Sequence, residues 1–295
     1  MNTSARTLAN LWQLARPSHW AKNIFVLAGV FFAEDWHNPE VLLLALSAFL
    51  AFCLASSAVY AVNDAMDMEE DRGHPLKRLR PLASGALSQS VGYAFAAAMA
   101  AGALAISLWT GPKLSTALVA YMVVNALYSR LLKHLVLLDV FCIAFGFIIR
   151  LLAGTWGIGI EPSQWFLLCT MALSLFLGFS KRYAERMDTH RPLSAKRPVM
   201  QCYSPEFLRV LLAVTLSATL ITYGLYTTNI QTVEFHKTGN LIYSLPIAMF
   251  GLFRYLYLVM ERGFGENTVA DIFKDHAMLS ICVLYVALVS IMLFV

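Results

Sequence analysis

Charge is what this chain has least of. Charged residues make up 14% of its 295 positions and hydrophobic types 59%, where a soluble domain carries roughly 25% charged residues. That shortage excludes a soluble enzyme, a disordered chain and a nucleic-acid-binding domain. The pI near 8.8 looks basic, yet the net charge is only +4, so the placement of the charges matters more than their sum. Cysteine is also sparse. Cys53, Cys142, Cys169, Cys202 and Cys282 show no CxxC spacing, and all but Cys202 lie in apolar stretches. An odd, scattered set of this kind argues against a disulfide framework or a zinc site. Residues 1–22 lack the long apolar core and small-residue cleavage site of a signal peptide. Instead Leu8, Leu11, Trp12 and Ala15 share one helical face, which predicts an amphipathic helix over 1–22 lying at a membrane interface.

Long hydrophobic runs, by contrast, are abundant. A helical span needs about 20 mostly apolar residues, and the sequence offers candidates at 23–34, 39–60, 89–110, 114–132, 135–156, 164–180, 207–228, 240–260 and 277–295. The fold class expected is all-α: a polytopic membrane protein of about nine helices, forming one catalytic domain over 1–295. Lys and Arg then fix the orientation. With the N-terminus inside, Arg6, Arg16 and Lys22 precede the first span. Arg72, Lys77, Arg78 and Arg80 follow the second, and Arg130 and Lys133 the fourth. Lys181, Arg182, Arg186, Arg191, Lys196, Arg197 and Arg209 surround the loop after the sixth, and Arg254, Arg262 and Lys274 the loop after the eighth. Of the 22 Lys and Arg, only Lys113, Arg150 and Lys237 fall elsewhere. The outer loops, such as Glu34-Asp35-Trp36-His37, are short and neutral or acidic. The expectation is a multi-pass protein of the inner (cytoplasmic) membrane, with its N-terminus and its polar loops in the cytoplasm.

The polar loops carry the chemistry. In the segment from Asn63 to Asp71, a helix would place Asn63, Asp67 and Asp71 at i, i+4 and i+8 with Asp64 beside them, so that four oxygen-bearing side chains converge. Clustered carboxylates repel and call for a cation. Hard oxygen ligands suit magnesium, which binds through one or two carboxylates plus substrate phosphates. Arg72, His74, Lys77, Arg78 and Arg80 follow at once, as a metal-bound pyrophosphate with cationic clamps would require. Lys181 and Arg182 precede Glu185 by four and three residues and can pair with it. Tyr128, Lys133 and Asp139 frame the loop after the fourth span, and Arg16 and Lys22 the approach to the first. The plainer readings are a solvated acidic loop, ordinary positive-inside bias, a structural ion pair and interfacial anchors. Arg150 stands deep in the fifth span, about 16 Å of helix from Asp139, so the two cannot pair. Arg150 therefore needs another partner or a polar cavity.

The pattern Asn63-Asp64-x-x-Asp67-x-x-x-Asp71 resembles the first aspartate-rich motif of the UbiA superfamily of intramembrane prenyltransferases. Three further stretches resemble its decaprenyl-phosphate phosphoribosyltransferase branch: Arg16-Pro17-x-x-Trp20-x-Lys22-Asn23, His74-Pro75-x-Lys77-Arg78-x-Arg80-Pro81 and Lys181-Arg182-Tyr183-Ala184-Glu185. Trp165-Phe166-Leu167-Leu168 and Arg150-x-x-Ala153-Gly154 are similar to that branch too. The resemblance implies transfer of 5-phosphoribose from phosphoribosyl pyrophosphate to a polyprenyl phosphate, with Mg2+ as cofactor. Asn63, Asp64, Asp67 and Asp71 are then the catalytic, magnesium-holding set. Arg16, Lys22, Lys77, Arg78, Arg80, Tyr128, Lys133, Asp139, Lys181, Arg182 and Glu185 are the substrate-binding candidates. The partners expected are the two substrates and the membrane, not nucleic acid; a homo-oligomer is left open.

Aromatic prenyltransferases of this superfamily carry a second aspartate-rich motif after the sixth span. Here Lys181, Arg182 and Glu185 stand in its place, trading a second metal site for cations that suit a second anionic group. The C-terminal loop departs from the branch, reading Asp275-His276 where an Asp-Arg pair is expected. Two rivals remain: a UbiA-type aromatic prenyltransferase using a prenyl pyrophosphate, and a carrier of lipid or anions. A carrier should keep polar groups near the bilayer midplane, and this sequence offers few.

Overall fold

A computed structural model describes residues 3–32, 38–73, 77–188, 198–265 and 268–294. Among these residues there is no strand. The chain divides into two compact units, one of residues 1–130 with 149–161, the other of 131–148 with 162–295.

In the first unit α1 (Thr3–Ala15) leads through a 3-10 turn (Pro17–Asn23) into α2 (Ile24–Phe32). The long α3 (Pro39–Met66) is followed by the short α4 (Met68–Arg72), α5 (Gln89–Thr110) and α6 (Pro112–Arg130). Starts and stops follow local chemistry. Asn38 caps α3 by accepting the Glu40 N–H at 3.0 Å, with Pro39 at the first helical position, where its missing N–H costs nothing. Gly111 breaks the chain at φ 147°, and Pro112 starts α6. The inward face of α3 is small: Ala45, Ala48, Ala51, Ala55, Ala58, Ala61 and Ala65 are buried. Small side chains let helix backbones approach closely where lipid supplies no hydrophobic drive between helices, and α5 packs along this face. Leu42, Leu43, Leu46 and Leu50 of α3 point outward and are exposed, as a lipid-facing side should be. A close backbone approach joins α2 to the turn after α7. A Cβ on Gly154 would lie 1.6 Å from the Val26 carbonyl oxygen, and one on Gly29 would lie 2.1 Å from the Gly154 carbonyl oxygen.

The second unit contains most of α7 (Leu138–Ala153), then α8 (Gln164–Met187), α9 (Pro205–Thr228) and α10 (Ile230–His236). It ends with α11 (Leu245–Arg262), α12 (Thr268–Lys274) and α13 (His276–Phe294). Its core gathers Val140, Phe176, Phe179, Met200, Tyr203, Leu212, Tyr255 and Leu258. Ser204 caps α9 by accepting the Phe207 N–H at 3.0 Å.

Among the described residues, seven helical segments are long and apolar enough to cross a membrane: Pro39–Met66, Gln89–Thr110, Leu138–Ile158, Gln164–Met187, Pro205–Thr228, Asn240–Arg262 and His276–Leu293. Each matches one of the spans expected from sequence. The other two expected spans, 23–34 and 114–132, fall on helices that are shorter or more polar. They are α2, nine residues as described, and α6, which carries Lys113, Asn125 and Arg130. The outer loop Glu34-Asp35-Trp36-His37, together with His74, Arg191, Lys196 and Arg197, lies outside the described residues.

Candidate active site

The aspartate-rich motif sits where α3 runs into α4. Helix α3 continues six residues beyond the apolar run that ends at 60 and carries Asn63 and Asp64 with it. The turn hardly interrupts the helix: Asp67 N–H donates to the Asn63 carbonyl at 2.9 Å, and Asp71 N–H to the Asp67 carbonyl at 2.8 Å. Asp64 and Asp71, seven residues apart, therefore share a face. Both are buried, whereas Glu69 and Glu70 point to solvent. Asn63 and Asp67 are half-buried.

Three cations close on the two buried carboxylates. Arg16 Nη2 donates to Asp64 Oδ1 at 2.6 Å. Arg80 Nη1 bridges the pair, at 3.1 Å from Asp64 Oδ1 and 2.5 Å from Asp71 Oδ2. Lys77 Nζ lies 3.4 Å from Asp71 Oδ1. Arg16 also rests over the Tyr60 ring, 5.1 Å from its centroid. Its backbone is left-handed at φ 52°, ψ 58°, a conformation that costs a non-glycine residue roughly 1–2 kcal/mol. Such strain persists where the surroundings over-determine it. Arg72 turns away to the exposed Glu69 and to the Ala83 carbonyl. Arg78 is exposed and makes no ion pair among the described residues.

The donor set suits a hard divalent ion in kind. Asp71 Oδ1 is buried and receives no hydrogen bond. Among the described residues, the side chains of Asn63 and Asp67 make no hydrogen bond or ion pair. As they stand, no three acidic, His or Cys side chains among the described residues are grouped closely enough to hold a metal. Arg16 and Arg80 instead occupy the two buried carboxylates.

Also in the first unit, Asn23 of the Lys22-Asn23 stretch is fully buried. It accepts Arg150 Nε at 2.8 Å and donates to Ser56 Oγ at 3.3 Å. Arg150 Nη2 donates to Tyr121 OH at 3.0 Å, and the guanidinium lies 4.7 Å from the centre of that ring. These are the partners that an arginine inside a span requires. Lys22 is exposed and Tyr128 half-buried.

In the second unit a different cluster forms. Arg182 Nε donates to Asp139 Oδ2 at 2.6 Å, and Arg182 Nη1 to Glu185 at 3.0 Å. Asp139 Oδ1 accepts Tyr203 OH at 2.7 Å, and the same hydroxyl accepts the Leu137 N–H at 2.7 Å. Burial, then the hydrogen bond to Asp139, pushes the Tyr203 phenol above its ordinary range, so it stays a donor at neutral pH. Lys181 is exposed and Lys133 half-buried. Sequence reasoning missed Tyr203, which sits 64 residues from Asp139 with no spacing signal to tie them. The C-terminal loop uses its acids structurally. Asp275 pairs with Arg254 at 2.8 Å and accepts the Met278 N–H at 2.8 Å, while Asp271 accepts the Gly265 N–H at 2.8 Å.

Residues 23–263 match the UbiA prenyltransferase family. The chain belongs to that family. It is 36% identical to the decaprenyl-phosphate phosphoribosyltransferase of Mycolicibacterium smegmatis, over 74% of this chain and 70% of that protein. The enzymes of the same name from Corynebacterium glutamicum and Mycobacterium tuberculosis are 36% and 34% identical. They cover 72% and 75% of this chain, and 65% and 75% of their own lengths are matched. Among solved structures, a UbiA homolog from Archaeoglobus fulgidus bound to GPP and Mg2+ superposes with a TM-score of 0.66. It has 19% identity and covers 82% of this chain and 86% of that one. A digeranylgeranylglyceryl phosphate synthase gives 0.68 at 16% identity, covering 94% and 96%. At these identities the structures establish the UbiA fold, and the sequence relatives bear on activity.

Proposed function

We propose that this UbiA-family chain, acting over its whole length 1–295 as one catalytic domain, transfers 5-phosphoribose from phosphoribosyl pyrophosphate to a polyprenyl phosphate. Support comes from the relatives at 34–36% identity. The observation that carries it is the juxtaposition of buried Asp64 and Asp71 with Arg16, Lys77 and Arg80, since a diphosphate donor needs carboxylates and cations at one place. An oxygen of the lipid phosphate attacks the anomeric carbon. The bond from that carbon to the pyrophosphate oxygen breaks, and pyrophosphate leaves with the electron pair. The nucleophile is already anionic at neutral pH, so no general base is needed. Positioning and charge stabilisation supply the catalysis.

Asn63, Asp64, Asp67 and Asp71 are the residues that would hold magnesium, which when bound neutralises charge on the departing pyrophosphate. Arg16, Lys77, Arg78 and Arg80 offer their donors to donor phosphates, and a carboxylate of the motif faces the positive charge that grows at the anomeric carbon. Lys22, Tyr128, Lys133 and Lys181 are assigned to substrate phosphates at the cytoplasmic surface. Asp139, Arg182 and Glu185 belong with them in this reading, through the network that orders the start of α7 and the end of α8. The apolar outer faces of the helices meet the bilayer from which the lipid substrate comes, and α1 lies at the interface. The N-terminus and the site face the cytoplasm of an inner-membrane protein.

The test uses purified protein in detergent with magnesium, radiolabelled phosphoribosyl pyrophosphate and a polyprenyl phosphate. Label should pass into the organic phase and fail to do so with EDTA. It should also fail to do so in Asp67→Asn, a change that touches no ion pair. Absence of labelled lipid, with prenylated product formed instead from a prenyl pyrophosphate and an aromatic acid, would move the activity to aromatic prenyl transfer.

A further inference from the structure

We infer that Arg16 and Arg80 are exchangeable counter-ions, held on the metal-binding carboxylates until a metal-bound diphosphate arrives and then passed to its phosphates. This deepens, and rests on, the magnesium-site reading above. The argument starts from an asymmetry of burial. Asp64 and Asp71 are 4% and 1% exposed, whereas Arg16, Arg80 and Lys77 are 20%, 28% and 40% exposed. A buried carboxylate left without a partner is strongly destabilising, so the carboxylates are fixed and need positive charge at all times. Arg16 and Arg80 sit at the rim on long side chains, more open to solvent than the carboxylates they face.

Charge decides what can enter. Asp64, Asp67 and Asp71 carry three negative charges, and Arg16, Lys77 and Arg80 three positive ones, so the cluster is balanced as it stands. A divalent ion arriving alone would leave two positive charges in excess in a half-buried place, and repulsion between like charges there is only weakly screened. An ion arriving on a diphosphate brings its own negative charge. Arg16 and Arg80 can then leave the carboxylates for phosphate oxygens, which the planar guanidinium fork suits, and the buried Asp64 and Asp71 keep a positive partner throughout. The bridging position of Arg80 Nη1, on both carboxylates at once, makes it the residue whose departure opens the pair. The strained backbone at Arg16 marks the second cation that the fold holds in place.

The experiment measures Mn2+ retained by detergent-purified full-length protein in equilibrium dialysis, with and without inorganic pyrophosphate. Wild type should bind Mn2+ weakly alone and far more tightly with pyrophosphate. Arg80→Gln and Arg16→Gln should each bind Mn2+ alone at least about tenfold more tightly, the effect of removing one unit charge from a partly buried site. Both should retain less radiolabelled pyrophosphate at saturating Mn2+. Arg80→Lys, which keeps the charge, should follow wild type in the metal titration. If Arg80→Gln and Arg16→Gln leave Mn2+ binding unchanged while Asp67→Asn weakens it, the exchange is wrong and the metal site stands. If Asp67→Asn leaves Mn2+ retention with pyrophosphate untouched, the metal-site reading fails, and the exchange fails with it.

Discussion

Arg182 and Asp139 form an ion pair closed off from solvent: Nε to Oδ2 is 2.6 Å, and the two side chains are 1% and 0% exposed. Desolvating both charges is offset only by close geometry and by the added bonds from Glu185 and Tyr203. Removing one member strands the other, so Arg182→Leu and Asp139→Leu should each lower stability by about 3 kcal/mol. The double variant, which removes both charges, should regain most of that loss. Thermal unfolding of the three purified proteins checks this. Singles that melt no lower than the double would show that the pair is not held together as described.

The contact of α2 with the turn after α7 gives a sharper steric prediction. At Gly154 a Cβ would meet the Val26 carbonyl oxygen at 1.6 Å, and that atom is backbone. No rotamer change relieves such an overlap, so Gly154→Ala should fail to yield monodisperse protein on size-exclusion chromatography. Gly239 has nothing within 4 Å of its Cβ position, and Gly239→Ala should behave as wild type.

The sequence exposes what local periodicity controls and hides what long-range pairing controls. Seven of the nine apolar runs correspond to helical segments long and apolar enough to cross a membrane among the described residues, because burial in lipid forces backbone hydrogen bonds to be satisfied within the segment. The extent of α3 is harder to see, since the apolar run ends at 60, six residues before the helix ends at Met66, and Asn63 and Asp64 lie in that extension. The shared face of Asp64 and Asp71 follows from two helical turns of spacing. Their partners do not: Arg16 lies 48 residues from Asp64, and Arg150 lies 127 from Asn23. Positive-inside bias and specific pairing look the same in a string of letters. Only the folded structure separates Arg80, which bridges two carboxylates, from the exposed Arg78, which makes no ion pair among the described residues.

The C-terminal loop carries a pH prediction. The hydrogen bond from Arg254, then that from the Met278 N–H, holds the Asp275 carboxyl below its ordinary value of 3.8. A lowered folded value means that the ionised form favours the folded state. The contribution is therefore fully present above the ordinary value and is lost as pH falls below it, through the folded value. Asp275→Asn should lower the melting temperature at pH 7, and the gap to wild type should narrow as pH drops below about 4. A gap that stays constant down to the lowest pH reached would remove the ion pair as its cause.

Orientation in the membrane is accessible through a single native residue. Cys202 is exposed, whereas Cys53 and Cys142 are buried and Cys169 and Cys282 are partly covered. Cys202 follows the Arg- and Lys-rich loop after the sixth expected span, which the positive-inside rule assigns to the cytoplasm. A membrane-impermeant maleimide should therefore leave Cys202 unlabelled in intact cells and label it once they are permeabilised. Gly239 lies in the loop assigned to the other side and is exposed, so Gly239→Cys in a Cys202→Ala background should label in intact cells. The reversed pattern would place the aspartate-rich motif on the outer face. Cytosolic phosphoribosyl pyrophosphate could not reach it there, so the same labelling experiment tests the donor assignment as well as the topology.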